Sequence, residues 1–214
     1  MYAISLGDDG GELRPLEPWH ADEFLAHLDR GREFVQQYIS FGSRATDVDS
    51  ARELLQSFAD KKAADTGGLH GVWLDGQLVG GVLFRVFDAE HGVCEVGCWL
   101  EPAASGRGLI TRAIRVLIDW AVDERGIHRV EWHAAVANEP SLNVARRLGM
   151  SREGVLRENW PHRGVRQDTE VWSVLAGEWR TARAAATATA TASATATAAA
   201  AAAAAEQGDP PSRA

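Results

Sequence analysis

The stretch Gly97-Cys98-Trp99-Leu100-Glu101-Pro102-Ala103-Ala104-Ser105-Gly106-Arg107-Gly108-Leu109-Ile110-Thr111 constrains the fold of this chain more than any other. A strand-like run ends at Leu100 and a loop punctuated by Gly106 and Gly108 follows. A helical pattern then begins at once, with Leu109, Ala113, Ile114, Leu117, Ile118 and Ala121 on one face up to Asp123. Such a strand, loop and helix turn backbone N–H groups and the positive helix end toward one point, which suits phosphate oxygens. Glycine lets the backbone approach a ligand where a Cβ would obstruct it, and Arg107 adds a cation. The spacing is not GxGxxG, and no Lys-Ser or Lys-Thr ending follows, so neither a dinucleotide nor a nucleoside triphosphate loop is indicated. On these residues alone, a loop that merely turns into a helix and binds nothing stays open.

The segments around it predict a mixed α/β (α+β) sheet flanked by helices. Leu13 to Leu16 reads as a short first strand, Pro18 opens a helix, and Asp49 to Lys62 carries Ala51, Leu54, Leu55, Phe58 and Ala59 on a helical face. His70 to Leu74, the turn Asp75-Gly76, Gln77 to Val86 and Val93 to Leu100 predict three consecutive antiparallel strands. After the central helix, Ile127 to Val136 is a strand and Pro140-Ser141 opens a short helix, Leu142 to Leu148, stopped by Gly149. The last two strands are Gly154 to Trp160 and Gln167 to Val174.

Charge divides the chain. There are 22 Lys plus Arg against 30 Asp plus Glu, a formal net charge of -8, which argues against a basic nucleic-acid-binding surface. Residues 181–214 sum to zero, so the acidic excess lies in a body of residues 1–180 that forms one domain. From Ala184 to Ala205 there are only Ala, Thr and one Ser, with no large side chain to bury; a disordered or weakly helical tail is expected over 181–214. No leader-like segment opens the chain and no apolar run spans a bilayer, so a cytoplasmic protein without membrane contact is expected. Cys94 and Cys98 share one face of a strand and read as core residues, and no His/Cys pattern suggests a metal.

The C-terminal half carries a resemblance. Glu95-Val96-Gly97-Cys98-Trp99-Leu100, Ser105-Gly106-Arg107-Gly108-Leu109-Ile110-Thr111-Arg112-Ala113, Asn138 to Met150, Glu153-Gly154-Val155-Leu156-Arg157 and Asp168 come in an order and spacing that resemble the GNAT family of N-acetyltransferases. The likeness is to the RimJ/RimL-type branch of ribosomal-protein alanine and serine N-acetyltransferases, over about residues 12–179. It implies a mostly antiparallel sheet with splayed central strands and acetyl-coenzyme A as acetyl donor. Ser105, Gly106, Arg107, Gly108, Leu109 and Ile110 are then the pyrophosphate loop and helix start, with Trp99 and Leu100 beside the pantetheine arm, Asn138 in contact with it and Ser141 near the sulfur. Where the family often has Gln or Arg, this chain has Ala103, which leaves backbone phosphate binding intact.

Chemistry then follows from the acceptor. A primary amine is protonated at neutral pH and must lose a proton before attacking a thioester in a ternary complex. Glu95 is the first candidate base, through water, with a strand residue paired to a basic neighbour as its structural alternative; Glu158 is the second. Ser141 is a candidate donor to the departing thiolate and also an N-cap, and the backbone at Leu100 a candidate oxyanion contact. Asp168 reads first as structural, and Trp160 as packing or as cleft wall. The resemblance favours a protein N-terminal amine, while the acidic body also admits a small-molecule amine. An acyl-coenzyme A-binding module without turnover is the alternative. An exposed sheet edge near the C-terminal strands makes a homodimer plausible.

Overall fold

In the computed structural model, residues 3–7 and 9–206 are described. Eight strands form one sheet in the order β1-β2-β3-β4-β5-β6-β8-β7. The strands are β1 (Ile4–Ser5), β2 (Gly11–Pro15), β3 (Gly68–Leu74), β4 (Gln77–Asp88), β5 (Val93–Leu100), β6 (Arg129–Ala135), β7 (Ser151–His162) and β8 (Val165–Leu175). Every neighbouring pair is antiparallel except β5 and β6, which run parallel. The helices are α1 (Ala21–Val35), α2 (Phe41–Arg44), α3 (Val48–Ala63), α4 (Leu109–Asp123), α5 (Glu139–Arg147) and α6 (Ala176–Glu206).

Adjacent residues of β4 show how the layers are built. Leu83 joins a core of α1, α2 and α3 residues that includes Phe24, Leu28, Phe41, Leu55 and Phe58, with Trp99 of β5 among them. Phe84, one residue on, points to the opposite face, where its ring meets Trp120 of α4 at 5.7 Å. The apolar face expected for α4 is the buried one: Leu109, Ile110, Ile114, Leu117 and Ile118 are all buried, each contributing about 2 kcal/mol. α3 is started by Asp47, whose carboxylate accepts the Ser50 N–H at 2.8 Å while the Ser50 hydroxyl answers the Asp47 N–H.

The two-residue β1, the four-residue α2 and the ends of β7 and β8 extend beyond what the sequence pattern predicts. Among the described residues, those up to Ala176 pack as one unit and those from Gly177 as another; the expected boundary is at 180/181. Where a disordered or weakly helical tail was expected, α6 is continuous through Glu206. Thr187, Thr189 and Thr191 each donate their hydroxyl to the carbonyl four residues back, which satisfies locally the polar group that otherwise competes with a helix. The expected Gly208 to Pro211 ending lies outside the described residues. Among the described residues no helix is long and apolar enough to cross a membrane.

Candidate active site

The site begins with a parting of strands. β5 pairs with β6 only from Val93↔Arg129 to Val96↔Trp132, although β5 runs on to Leu100 and stays paired with β4 through Gly80↔Leu100. β6 in turn follows β8 through Ala135↔Thr169. Beyond Val96 and Trp132 the two strands diverge, and the facing edge of Gly97–Leu100 carries no ladder. A cleft of about 640 Å³ occupies this wedge, with Cys98, Trp99 and Leu100 on one wall and Asn138, Pro140 and Ser141 on the other.

At the mouth of the wedge the glycine loop meets α4. Gly106 and Gly108 have φ of +81° and +72°, which side chains rarely adopt, and a Cβ at Gly106 would meet nothing within 4 Å. The need for glycine there is conformational, and the space beside it is open to the cleft. Gly108 caps α4 without any side-chain hydrogen bond, so the first-turn N–H groups stay available to an anion. Arg112 fastens the loop, donating from Nη1 to the Arg107 carbonyl at 2.9 Å and from Nη2 to Asp9 at 2.6 Å. An uncapped fifteen-residue helix, a Cβ-free cradle and the lining cations Arg112 and Arg147 together fit a diphosphate.

The opposite wall is set by α5. Asn138 caps it, its side chain accepting the Ser141 N–H at 3.3 Å, and the Ser141 hydroxyl oxygen accepts the indole N–H of buried Trp132 at 3.1 Å. Phe34, Val35, Gln37, Tyr38 and Ile39 roof the cleft. Two bonds hold this roof: the Tyr38 hydroxyl donates to the Ala137 carbonyl at 3.0 Å, and His162 of β7 donates to the Gln36 carbonyl at 2.8 Å.

A polar chain, buried at His27, Trp99 and Glu101, links β5 and the start of the loop to α1. The Trp99 indole donates to His27 Nε2 at 2.9 Å, His27 Nδ1 faces Glu101 at 3.2 Å, and Arg30 joins Glu101 at 3.1 Å and the Leu78 carbonyl at 2.6 Å. Burial holds the His27 pKa down to about 4, so the ring is neutral, with its one proton on Nδ1. Burial pushes the thiol of cleft-lining Cys98 up to about 12, which leaves it protonated and a poor nucleophile.

Of the residues singled out from the sequence, Trp99, Leu100, Ser105, Gly106, Gly108, Leu109, Ile110, Asn138 and Ser141 come together around this cleft, whereas Arg107 contributes its carbonyl to Arg112 and is not among the lining residues. Neither candidate base lines it. The Glu95 carboxylate is held by two of the Arg85 guanidinium nitrogens, Nε and Nη2, and lies 3.7 Å from His133, the arrangement of a strand residue paired with a basic neighbour. Glu158 is exposed at a bulge of β7, with φ of +51° and its N–H donated to Asp168 at 2.8 Å. Asp168 thus shapes the hairpin, and Trp160, 43% exposed, is outside the lining. Arg112, Asn143 and Arg147 line the cleft although the sequence reading gives none of them a site role. Their signal was faint, because polar residues at helical spacing read as a solvated face.

Comparison with known proteins agrees with this geometry. The acetyltransferase (GNAT) domain family matches residues 12–151. The Bacillus subtilis (strain 168) protein described as "Putative ribosomal N-acetyltransferase YdaF" is 30% identical over 168 residues, covering 78% of this chain and 92% of that protein. A crystal structure titled as a probable acetyltransferase superposes with a TM-score of 0.77 at 28% identity, covering 84% of this chain and 99% of the other. RimL, a ribosomal L7/L12 alpha-N-protein acetyltransferase in complex with coenzyme A, superposes with a TM-score of 0.76 over 81% of this chain and 97% of its own, a likeness of fold at 18% identity. Strand order, glycine loop and relatives lead to one conclusion: the chain belongs to the GNAT family of acetyl-coenzyme A-dependent N-acetyltransferases.

Proposed function

We propose that this N-acetyltransferase acts on the α-amino group of a protein or peptide, by direct attack within a ternary complex. The observation that carries the reading is the cleft's lining: among the described residues it contains no carboxylate and no histidine, while its roof, Gln37 apart, is apolar and aromatic. A polyamine or amino sugar carries several cationic nitrogens and calls for carboxylate partners, which this cleft does not supply. A single amine at the end of a peptide needs only to arrive neutral. With no base at hand, the free-base fraction decides the acceptor, and an α-amine with a pKa of about 8 offers a few hundred-fold more of it at pH 7 than a lysine at about 10.4.

Acetyl-coenzyme A supplies the acetyl thioester. Ser105, Gly106 and Gly108, with the first N–H groups of α4, hold its diphosphate, and Arg112 and Arg147 add charge. The unladdered edge at Leu100 offers backbone groups to its amide-bearing arm, and Asn138 offers a side chain from the other wall. Ser141 directs its hydroxyl to the sulfur. Glu95 and Glu158 take no direct part; the proton of the amine leaves through water.

The test is a panel of acceptors at pH 7. Short peptides with a free N-terminus should be acetylated at least about 10-fold more efficiently than N-blocked peptides containing lysine, a polyamine or an amino sugar. A preference for lysine or polyamine would overturn the reading. Donor binding with turnover of no amine would instead mark an acyl-coenzyme A-binding module.

A further inference from the structure

We propose that Trp132 is a positioning residue that aims the Ser141 hydroxyl at the donor sulfur; this rests on the role of Ser141 given above. Ser141 stands in the first turn of α5, where a serine hydroxyl ordinarily donates to a nearby backbone or side-chain acceptor. Here that local option is not taken: among the described residues its oxygen accepts from Trp132 at 3.1 Å and its proton is given to no protein group. Trp132 is 1% exposed, in the middle of β6, directly opposite the last β5 residue before the wedge opens. An indole locked in the sheet, with a single N–H and no acceptor, imposes the acceptor role on the oxygen lone pair facing it. The hydroxyl proton is thereby turned away from Trp132, and Ser141 lines the cleft. During transfer the amine lone pair forms the C–N bond and the C–S bond breaks, its electron pair staying on sulfur. The amine's proton goes to water, and the Ser141 O–H donates a hydrogen bond to the thiolate so formed.

Affinity for free coenzyme A relative to desulfo-coenzyme A, measured by calorimetry at pH 9, isolates the sulfur contact without any acceptor. The unmodified protein should favour the thiol form, and Ser141→Ala should lose about 10-fold of that preference. Trp132→Phe should lose about 5-fold, and should lose nothing further when Ser141 is already Ala. Since Trp132→Phe opens space in the core, a second variant replaces the Trp132 indole with benzothiophene, which keeps the ring shape and removes only the N–H; it should behave as Trp132→Phe does. If Ser141→Ala leaves the preference intact, the role of Ser141 itself fails. If Ser141→Ala lowers it while both Trp132 replacements do not, the positioning role alone fails. Equal weakening of both ligands by the Trp132 replacements, or an undiminished effect in the Ser141→Ala background, marks a packing effect and overturns the proposal.

Discussion

Two buried histidines tie stability to pH. His27 is held between Trp99 and Glu101, and His70 is buried with its Nδ1 unpartnered, and burial lowers both pKa values from 6.5 to about 4. The unfolded chain takes up these protons below pH 6.5 while the folded one resists until about 4. Stability is therefore full above 6.5 and falls as the pH drops through that window, by about 3 kcal/mol per histidine. Urea midpoints measured from pH 7.5 to 4 should trace this decline, and His27→Gln should remove about half of the slope. Two cleft residues have their own expected outcomes. Gly106→Val puts a branched side chain at φ +81° and into the cradle, and should weaken acetyl-coenzyme A binding more than about 10-fold in a protein that still unfolds cooperatively. Arg147→Ala should weaken it by about 5-fold and flatten its dependence on salt. Ser141 and Asn138 were singled out through the family resemblance; the cap expected at Ser141 is instead Asn138, because α5 begins at Glu139, two residues before Ser141. Arg147 was not legible, since the direction in which a surface arginine points depends on where the loop opposite it ends.

Among elements, legibility followed burial. β5 was read to its termini, Val93 to Leu100, and α4 to within one residue, because each presents an unbroken periodic apolar face. β7 was read three residues short at its start and two at its end; it is exposed almost throughout, so no alternation marks its limits. The partner of Glu95 was hidden for a different reason. Arg85 is the extra residue where the β4 register slips between Phe84 and Val86; it keeps the face of Leu83 and Glu95, but nothing in the sequence marks which strand residue bulges, so the register opposite Glu95 was not legible. Because this pair bridges β4 and β5, Glu95→Gln should cost about 2 kcal/mol in urea unfolding. It should leave the pH profile of kcat/KM unchanged, with a rise that follows the acceptor amine up to about pH 8. A new inflection lost in Glu95→Gln would restore that carboxylate as the base.

For the whole molecule, the stretch from Ala184 to Ala205 has no bulky side chain, and Thr187, Thr189, Thr191 and Thr195 satisfy their hydroxyls within α6. Removing residues 184–214 should leave the urea midpoint and acetyl-coenzyme A affinity of the remainder unchanged, with only the helical circular dichroism reduced. The excised peptide alone should be weakly helical, as threonine is a poorer helix former than alanine. The net charge of -8 belongs to the body and favours approach of a cationic N-terminus.

An ordinary open sheet has two margins where hydrogen bonding stops, one at each outer strand. This one has an additional pair in its interior, because β5 and β6 separate after Val96 and Trp132. Those inner margins converge to an apex, so room between them shrinks with depth. A slender chain bearing an amide every few bonds can lie along one margin and stop where the walls meet. The fold thus measures the penetration of its ligand by geometry, with the apex at Val96 and Trp132 as the stop.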